Sequence, residues 1–247
     1  MKKRTNAMVA AVAMIAIGLI AASGPGAPAG AAPHASVVRA TAIDPADFTT
    51  PVPNPYFPLE PGTVSILQGS EDGKRLLNRT TITPWKKVIQ GVTTTVVNDV
   101  LYEGGVLREK TTDWYAPDNA GNVWYFGEAT AVYNKHGQVV DREGSWEAGV
   151  HGAVAGIIMT ANPGPTDAYR QEFFKGHAED QGWIVANHQV VDVPYGKVDQ
   201  VVRSYEWTRL EPAVVSLKLY GPGLGIIREK DVAGGTELLE LVRVEHH

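Results

Sequence analysis

Most of the chain consists of short runs in which Val, Ile, Thr and aromatic residues alternate with polar ones, and turn-forming residues separate these runs. This period-two pattern is typical of antiparallel β-strands, and the connectors, which combine glycine with Asp, His or Pro, suit tight hairpins. We predict strands at residues 63–68, 75–84, 85–90, 93–102, 106–115, 122–133, 138–142, 169–174, 182–193, 199–208, 214–220, 225–231 and 236–244.

Helical periodicity is nearly absent, and the weak helical candidates are residues 176–180 and 196–201. Because the predicted strands follow one another through short hairpins, they favour one all-β domain at residues 45–247. A flat meander of this length would leave its edges and one face unburied. We therefore predict a single antiparallel meander that curls into a barrel or half-barrel and contains little helix.

Two stretches interrupt the strand pattern. Prolines recur through residues 45–61, and each lacks a backbone donor and has a fixed φ. We predict an extended cover there, neither helix nor central strand, in which Tyr56, Phe57 and Leu59 pack on the core. Residues 144–165 are rich in small residues and lack alternation, so we predict a long loop or cover, a kind of segment that is often functional.

The N-terminus has the order of a secretory signal. Basic residues at 2–4 precede an apolar run at 7–22 and a stretch of small residues. We predict a signal peptide at residues 1–31, cleaved after Ala31, and a flexible leader at 32–44. The alternative is that the apolar run stays as a membrane anchor. With cleavage, we expect a secreted protein in the extracellular space or cell envelope with no remaining membrane span.

Composition and charge exclude several classes of function. The chain carries 22 Lys and Arg against 27 Asp and Glu, a formal net charge of −5 at pH 7, and loss of the signal would remove three further cations. An acidic chain without a run of basic residues lacks the cluster of positive charge with which proteins bind the phosphates of nucleic acids. The chain contains no cysteine, which excludes disulfides, a thiolate metal site and a cysteine nucleophile.

The densest cluster of candidate site residues is the segment 113–128, which is rich in aromatic and acidic side chains. Strict strand alternation places Trp124, Phe126 and Glu128 on one face and Tyr125 on the other. On this interpretation, the Glu128 carboxyl shares its face with two aromatic rings.

Two hairpin registers are open for this segment. A five-residue loop sets Lys110 opposite Glu128, which would form an ordinary cross-strand ion pair. A four-residue loop sets Thr111 opposite Glu128 and Asp113 opposite Phe126. In that register the Glu128 carboxyl is desolvated and its pKa is raised, which is the usual preparation of a general acid.

A second cluster, residues 144–152, combines three glycines with Trp146, Glu147 and His151. Glycine lets the backbone approach a ligand or another segment closely. Trp146 and Glu147 could therefore line the mouth of a pocket. Alternatively, Trp146 caps the barrel and Glu147 faces water.

A third cluster supplies further polar side chains. Arg170 and Glu172 share one strand face, where they either contact a ligand or pair with each other. His177, Glu179 and Asp180 are of residue types that ligate calcium or zinc, so a metal ion is an open possibility here. Their spacing matches no complete metal-binding motif.

These clusters resemble motifs of an uncharacterised family of secreted bacterial β-rich proteins. The matches are D-W-Y-A-x-D-x-x-G-N-V-W-Y-F-G-E at 113–128, G-S-W-E-A-G-V-x-G-A at 144–153, and shorter motifs at 156–157, 169–172, 178–180, 193–196 and 220–225. The chain departs from the family pattern at Pro117, His151 and Ala155, where Gln, Asp and Pro are expected. The last motif is also similar to that of exported half-barrel proteins related to lipoprotein carriers, which implies a curved sheet with a concave face.

Three functions remain open. The first is a secreted, non-enzymatic protein that binds an apolar or ring-bearing small ligand on a concave sheet. The second is a hydrolase of glycosidic or ester substrates, with Glu128 or Glu147 as acid and Asp113 or Glu172 as its partner. The third is a metal-binding surface protein; apart from such an ion, no cofactor is expected. The candidate ligand-binding residues are Trp114, Tyr115, Trp124, Tyr125, Trp146, Arg170 and Glu172.

Overall fold

The computed structural model describes residues 43–247, which form an almost entirely antiparallel β-structure. The strands are β1 (Thr63–Glu71), β2 (Lys74–Ile89), β3 (Val92–Glu103), β4 (Val106–Pro117), β5 (Val123–Tyr133), β6 (Val139–Asp141), β7 (Trp146–Glu147), β8 (Val154–Met159), β9 (Ala168–Arg170), β10 (Glu172–Phe173), β11 (Asp180–Val193), β12 (Gly196–Thr208), β13 (Val215–Gly221), β14 (Gly225–Ala233) and β15 (Leu238–His246). The predicted signal peptide and residues 32–42 of the predicted leader lie outside the described residues. Within residues 43–247, no helix is long and apolar enough to cross a membrane.

The strands form one sheet in which sequence neighbours pair through hairpins. From β5 back to β1 and from β15 back to β11, each strand pairs with the next one along the chain, and β1 pairs with β15 at the middle of the sheet. The short strands β6 and β7 pair with β5 beside this path. This order is the predicted meander.

Residues 168–173 bring the two ends of the sheet together. β9 pairs with β11 at one end, and β10 pairs with β8 at the other end. Between these two short strands, Gln171 N donates to Asp180 O. The sheet is therefore nearly closed into a barrel, and the predicted all-β class with little helix is confirmed.

Three local predictions are wrong. Residues 75–84 and 85–90 are one long strand, β2, whose pairing with β3 shifts register between Ile82 and Lys86. Neither helical candidate is a helix. Residues 196–201 begin β12. Residues 176 and 177 lie in a tight turn that a bridge between Phe174 and Ala178 closes, and Asp180 begins β11. Both candidates lie at or directly after a tight turn between strands, at residues 175–177 and 194–195, and a turn of this length leaves no room for a helix.

The predicted loop at 144–165 contains two strands, which is also a correction. β7 pairs with Gly127 and Glu128, and β8 joins the sheet between β5 and β10. In β8, five consecutive residues, 155–159, are buried. Because both faces of this strand are covered, it carries no alternation of polar and apolar residues, which is the signal that the prediction relied on.

The proline-rich segment covers the core, as predicted. Tyr56, Phe57 and Leu59 pack against the larger hydrophobic cluster of the protein. Pro55 O accepts from Gly223 N, which fixes the segment to the turn between β13 and β14. Its first part departs from the expected extended form, because residues 45–48 form a 3₁₀ helix capped by Asp44.

A β-bulge at Gly127 determines which side chains face the interior. Asp113 pairs with Glu128, and Tyr115 pairs with Tyr125, so two residues of β5 lie opposite one residue of β4. Both predicted hairpin registers are therefore wrong. Gly127 has a φ of 134°, and its bulge reverses the alternation, so that Glu128 shares a face with Tyr125 and not with Phe126.

Candidate ligand-binding site

A cavity of about 110 Å³ lies beneath the proline-rich residues 45–61, which we call the cover segment. Its other walls come from the inner face of the curled sheet, the face that carries Asp113 and Tyr115. Phe57, Pro58 and Leu59 of the cover segment close one side of the cavity. The apolar part of the opposite wall consists of Leu67, Ile82, Val97, Ile158 and Ile226 on strands and of Leu224 in the turn before β14. The ring of Phe57 packs edge-on against that of Tyr115, with centroids 4.9 Å apart, which ties the cover to the polar end of the cavity.

Two carboxyl groups line the polar end of this cavity, those of Asp99 and Asp113. Asp99 accepts from Asn78 Nδ2 at 2.5 Å and from Thr80 Oγ1 at 2.7 Å. Asp113 accepts from the Tyr125 hydroxyl at 2.7 Å. Burial raises the pKa of Asp99, and burial together with the nearby Asp99 raises the pKa of Asp113 to about 8.

Lys218 is the lysine at this end of the cavity, and two glutamates hold its ammonium group. Its Nζ lies 3.0 Å from Glu206 Oε2 and 3.5 Å from Glu229 Oε1. Burial alone would lower the pKa of Lys218, but Glu206 and Glu229 outweigh this effect and raise it. Tyr220 also donates to Glu206 Oε1 at 2.7 Å, which completes a buried polar network.

Glu128 and Glu172 form a second acidic region on the same side of the sheet as Asp113. Thr130 Oγ1 donates to Glu128 Oε2 at 3.0 Å, and Trp146 Nε1 donates to Glu172 Oε2 at 2.6 Å. The other carboxyl oxygen of each glutamate is buried and has no hydrogen-bond partner among the described residues. Burial raises the pKa of both glutamates. The nearby Glu172 and Asp113 raise the pKa of Glu128 further, and the nearby Asp180 and Asp113 do the same for Glu172.

The structure places the candidate aromatic residues on two different faces. Tyr115 and Tyr125 lie on the inner face, where their rings stack with centroids 4.7 Å apart, and Trp146 packs edge-on against Tyr125. Trp114 and Trp124 lie on the opposite face. Of these five residues, Tyr115 lines the cavity.

The outer tryptophans are held by local contacts rather than arranged around the cavity. The Trp124 ring packs edge-on against Phe48 of the 3₁₀ helix, and its Nε1 donates to Asp118 Oδ2 at 2.9 Å. Lys87 Nζ lies 3.4 Å from the centroid of the Trp114 ring and 2.7 Å from Glu147 Oε2. The Glu147 carboxylate is therefore separated by the sheet from the inner carboxyl groups, and the structure does not bring it together with Glu128.

Replacing Lys87 by methionine is expected to lower the free energy of unfolding by about 1 kcal/mol, because both the cation–π contact with Trp114 and the half-exposed ion pair with Glu147 are lost. Glu147→Gln, which removes only the ion pair, should cost about half as much. Urea unfolding of both variants and of the double variant measures these terms. A loss above about 2 kcal/mol for Glu147→Gln would contradict the assignment of Glu147 as a surface partner.

The candidate residues of the third sequence cluster lie in different surroundings. Arg170 is exposed and lies over the Phe173 ring at 4.2 Å, whereas the Glu172 side chain is buried. His177 Nδ1 lies 2.7 Å from Glu143 Oε1, and Glu179 Oε1 accepts from Gly176 N. Among residues 43–247, no group of three or more His, Asp or Glu side chains is arranged to hold a metal ion.

Asp99, Lys218 and Tyr220 belong to the cavity but were not among the predicted site residues. A sequence signal for two of them exists. In the segment V-S-L-K-L-Y-G of β13, Lys218 and Tyr220 are two positions apart, so their side chains point to the same face of the strand. A lysine that shares a face with a buried aromatic residue indicates a cation that points inward. Around Asp99, polar and apolar residues of β3 do not alternate strictly, so the sequence does not indicate to which face its side chain points. That direction depends on the register of the sheet.

Comparison with known proteins gives weak similarities. A protein of Bacteroides fragilis assigned as exported, with a YmcC-like fold, matches at 16% identity with a TM-score of 0.45, covering 77% of this chain and 98% of its own. A protein of Parabacteroides distasonis assigned as a lipoprotein matches at 11% identity with a TM-score of 0.46, covering 78% and 100%. No protein-family model and no curated protein matches the chain. Both TM-scores are low, so the function is inferred from the chain's own residues.

Proposed function

We propose that this chain is a secreted, non-enzymatic binding protein that holds a small apolar or ring-bearing ligand in the cavity beneath the cover segment. The observation that carries the proposal is the cavity itself, which has a mainly apolar wall and a few polar groups gathered at one end. Small-molecule sites are typically apolar clefts in which a few placed polar groups orient the ligand. The N-terminal signal pattern supports action outside the cytoplasm.

The size of the cavity points to a single ring or a short chain. A protein cavity of roughly 150 Å³ lined by aliphatic side chains can accept benzene, and the present one is slightly smaller. Larger ligands would require the cover segment to move. Several hydrogen bonds hold that segment to the rest of the protein, among them those from Gly223 N to Pro55 O, from the Tyr56 hydroxyl to Gln200 O and from Asn54 Nδ2 to Gly121 O. A ligand that fits without this movement is therefore favoured.

A carboxylate-pair hydrolase is the second candidate, and the observation in its favour is that Asp113 lies directly across from Glu128. Opposed residues of antiparallel strands are close enough for their side chains to interact. Glu128, however, does not line the cavity, and Glu147 lies on the opposite face. These placements favour binding over catalysis.

The binding proposal is tested with three ring compounds that differ in their polar group: 4-fluorobenzylamine, 4-fluorobenzyl alcohol and 4-fluorobenzoate. Binding of each to the purified protein is followed by ¹⁹F NMR line broadening and titration. We expect saturable binding of at least one probe. If none of the three binds, the proposal is wrong.

A matched pair of variants shows whether binding occurs in the cavity. Ser65 lines the cavity, whereas Ser70, on the same strand, is exposed. Ser65→Leu fills part of the space and is expected to weaken binding at least about tenfold, while Ser70→Leu should leave it unchanged. Equal binding by both variants would place the probe elsewhere and overturn the proposal.

A further inference from the structure

The two carboxyl groups at the polar end of the cavity are held by neutral donors. Asp99 accepts from Asn78 and Thr80, and Asp113 accepts from Tyr125. Both carboxyl groups line the cavity, and Asp113 is only 4% exposed to solvent. A buried carboxylate is stabilised best by a cation that also donates hydrogen bonds to it.

Lys218, the lysine at this end of the cavity, does not fully neutralise the carboxyl groups of Asp99 and Asp113. The Lys218 ammonium lies between Glu206 and Glu229, so two carboxylates already share its single charge. Lys218 still lowers the pKa of Asp99 and Asp113, yet burial outweighs its effect. The polar end of the cavity therefore has more carboxyl groups than cations to pair with them.

A further acceptor without a donor lies next to this region. Glu128 is opposite Asp113 in the sheet, is 1% exposed, and its Oε1 has no hydrogen-bond partner among the described residues. In an occupied site, a donor at Asp113 would reduce the charge repulsion that these two carboxyl groups exert on each other.

We propose that the cavity selects ligands in which a ring or short apolar chain carries an amine, with the ammonium group against the carboxyl groups of Asp99 and Asp113. This inference rests on the proposed binding function and specifies its ligand class. The apolar wall receives the ring, and the ammonium group donates charge-assisted hydrogen bonds to the two carboxylates. Such a ligand supplies a second cation beside Lys218, whose ammonium group is held by Glu206 and Glu229.

Binding of an amine should depend on pH in a defined direction. The ionisable groups around Asp113 are Asp99 on β3, Glu109 and Tyr115 on β4, Tyr125 and Glu128 on β5, Glu172 on β10 and Lys218 on β13. Because the pKa of Asp113 is about 8 in the free protein, its carboxyl group is largely protonated at neutral pH. Affinity for the amine should therefore rise between about pH 6 and about pH 8, whereas affinity for the alcohol should stay constant.

The three fluorinated probes test this inference directly. We expect 4-fluorobenzylamine to bind at least about tenfold more tightly than 4-fluorobenzyl alcohol, and 4-fluorobenzoate to bind most weakly. Equal or tighter binding of the alcohol or the acid would overturn the amine inference and leave the binding function intact. Absence of binding by all three would instead remove the binding function itself.

Two carboxyl variants and a surface control complete the experiment. Asp113→Asn keeps the size of the side chain and should weaken binding of the amine about tenfold, with the alcohol changed less than about threefold. Asp99→Asn should act in the same direction. Asp199→Asn, at an exposed position, should change nothing. Unchanged amine affinity in both Asp99→Asn and Asp113→Asn would refute the inference, and a flat pH profile of the wild type would refute it without any variant.

Discussion

Replacing Gly127 by alanine is expected to lower the free energy of unfolding by about 3 kcal/mol or more. The φ of 134° at this residue is one that side-chain-bearing residues rarely adopt. A Cβ at this position would also overlap the carbonyl oxygen of Trp146 and lie 2.9 Å from the Cα of Glu147. Both obstacles are backbone atoms of β7, so relief would require that strand to leave the sheet. Urea unfolding followed by tryptophan fluorescence measures the loss.

Gly137→Ala is the matched control for this prediction. Gly137 also has a positive φ, 74°, but a Cβ built on it meets nothing within 4 Å. Its replacement carries only the conformational cost of a left-handed residue, about 1 kcal/mol. If both variants lose the same stability, the contact with β7 contributes little and the proposed role of the bulge is wrong.

Raising the pH from about 5 to about 8 is expected to destabilise the protein by about 3 kcal/mol or more. Burial raises the pKa of Glu109 and Asp113 to about 8 and that of Glu128 and Glu172 well above the usual value. Over this range the folded protein binds more of these protons than the unfolded chain, in which the carboxyl groups ionise at about pH 4. Stability is thus greatest below the unfolded pKa, near about 4, and falls as the pH rises towards the folded values. Unfolding midpoints in urea across this pH range measure the slope.

A glutamine variant separates this effect from general charge repulsion. Glu172→Gln retains an oxygen that can accept from Trp146 Nε1 but cannot ionise, so the loss of stability with pH should become smaller. Glu60→Gln, at an exposed position, should leave the slope unchanged. Stability that rises with pH, or an unaltered slope in Glu172→Gln, would contradict the assignment of buried, protonated carboxyl groups.

The fold was largely predictable because most strands have one face against the core and one more exposed. That arrangement leaves a period-two pattern, and glycine-containing turns separate the strands. The prediction failed at β8, where residues 155–159 are buried on both faces and the pattern disappears. It also divided β2 in two at Pro84, since proline is a common boundary of a strand but here lies at a shift in register.

The site was less predictable, because side-chain direction depends on single-residue shifts between strands. The bulge at Gly127 moved Glu128 to the face of Tyr125, and strict alternation had placed it with Trp124 and Phe126. A lone glycine inside a strand is a known sign of a bulge, so this shift could have been considered from sequence. The pairing of Asp113 with Glu128 and the convergence of Asp99 and Lys218 could not, since they depend on the curvature of the whole sheet.

The pairing of β1 with β15 has a consequence for the order in which the chain assembles. These strands are more than 160 residues apart, at Thr63–Glu71 and Leu238–His246, and they join the two halves of the sheet at its middle. The two halves of the sheet stay unconnected until this pairing forms, and contacts between residues so distant in sequence form slowly. We therefore expect the pairing of β1 with β15, rather than the formation of the local hairpins, to limit the rate of folding.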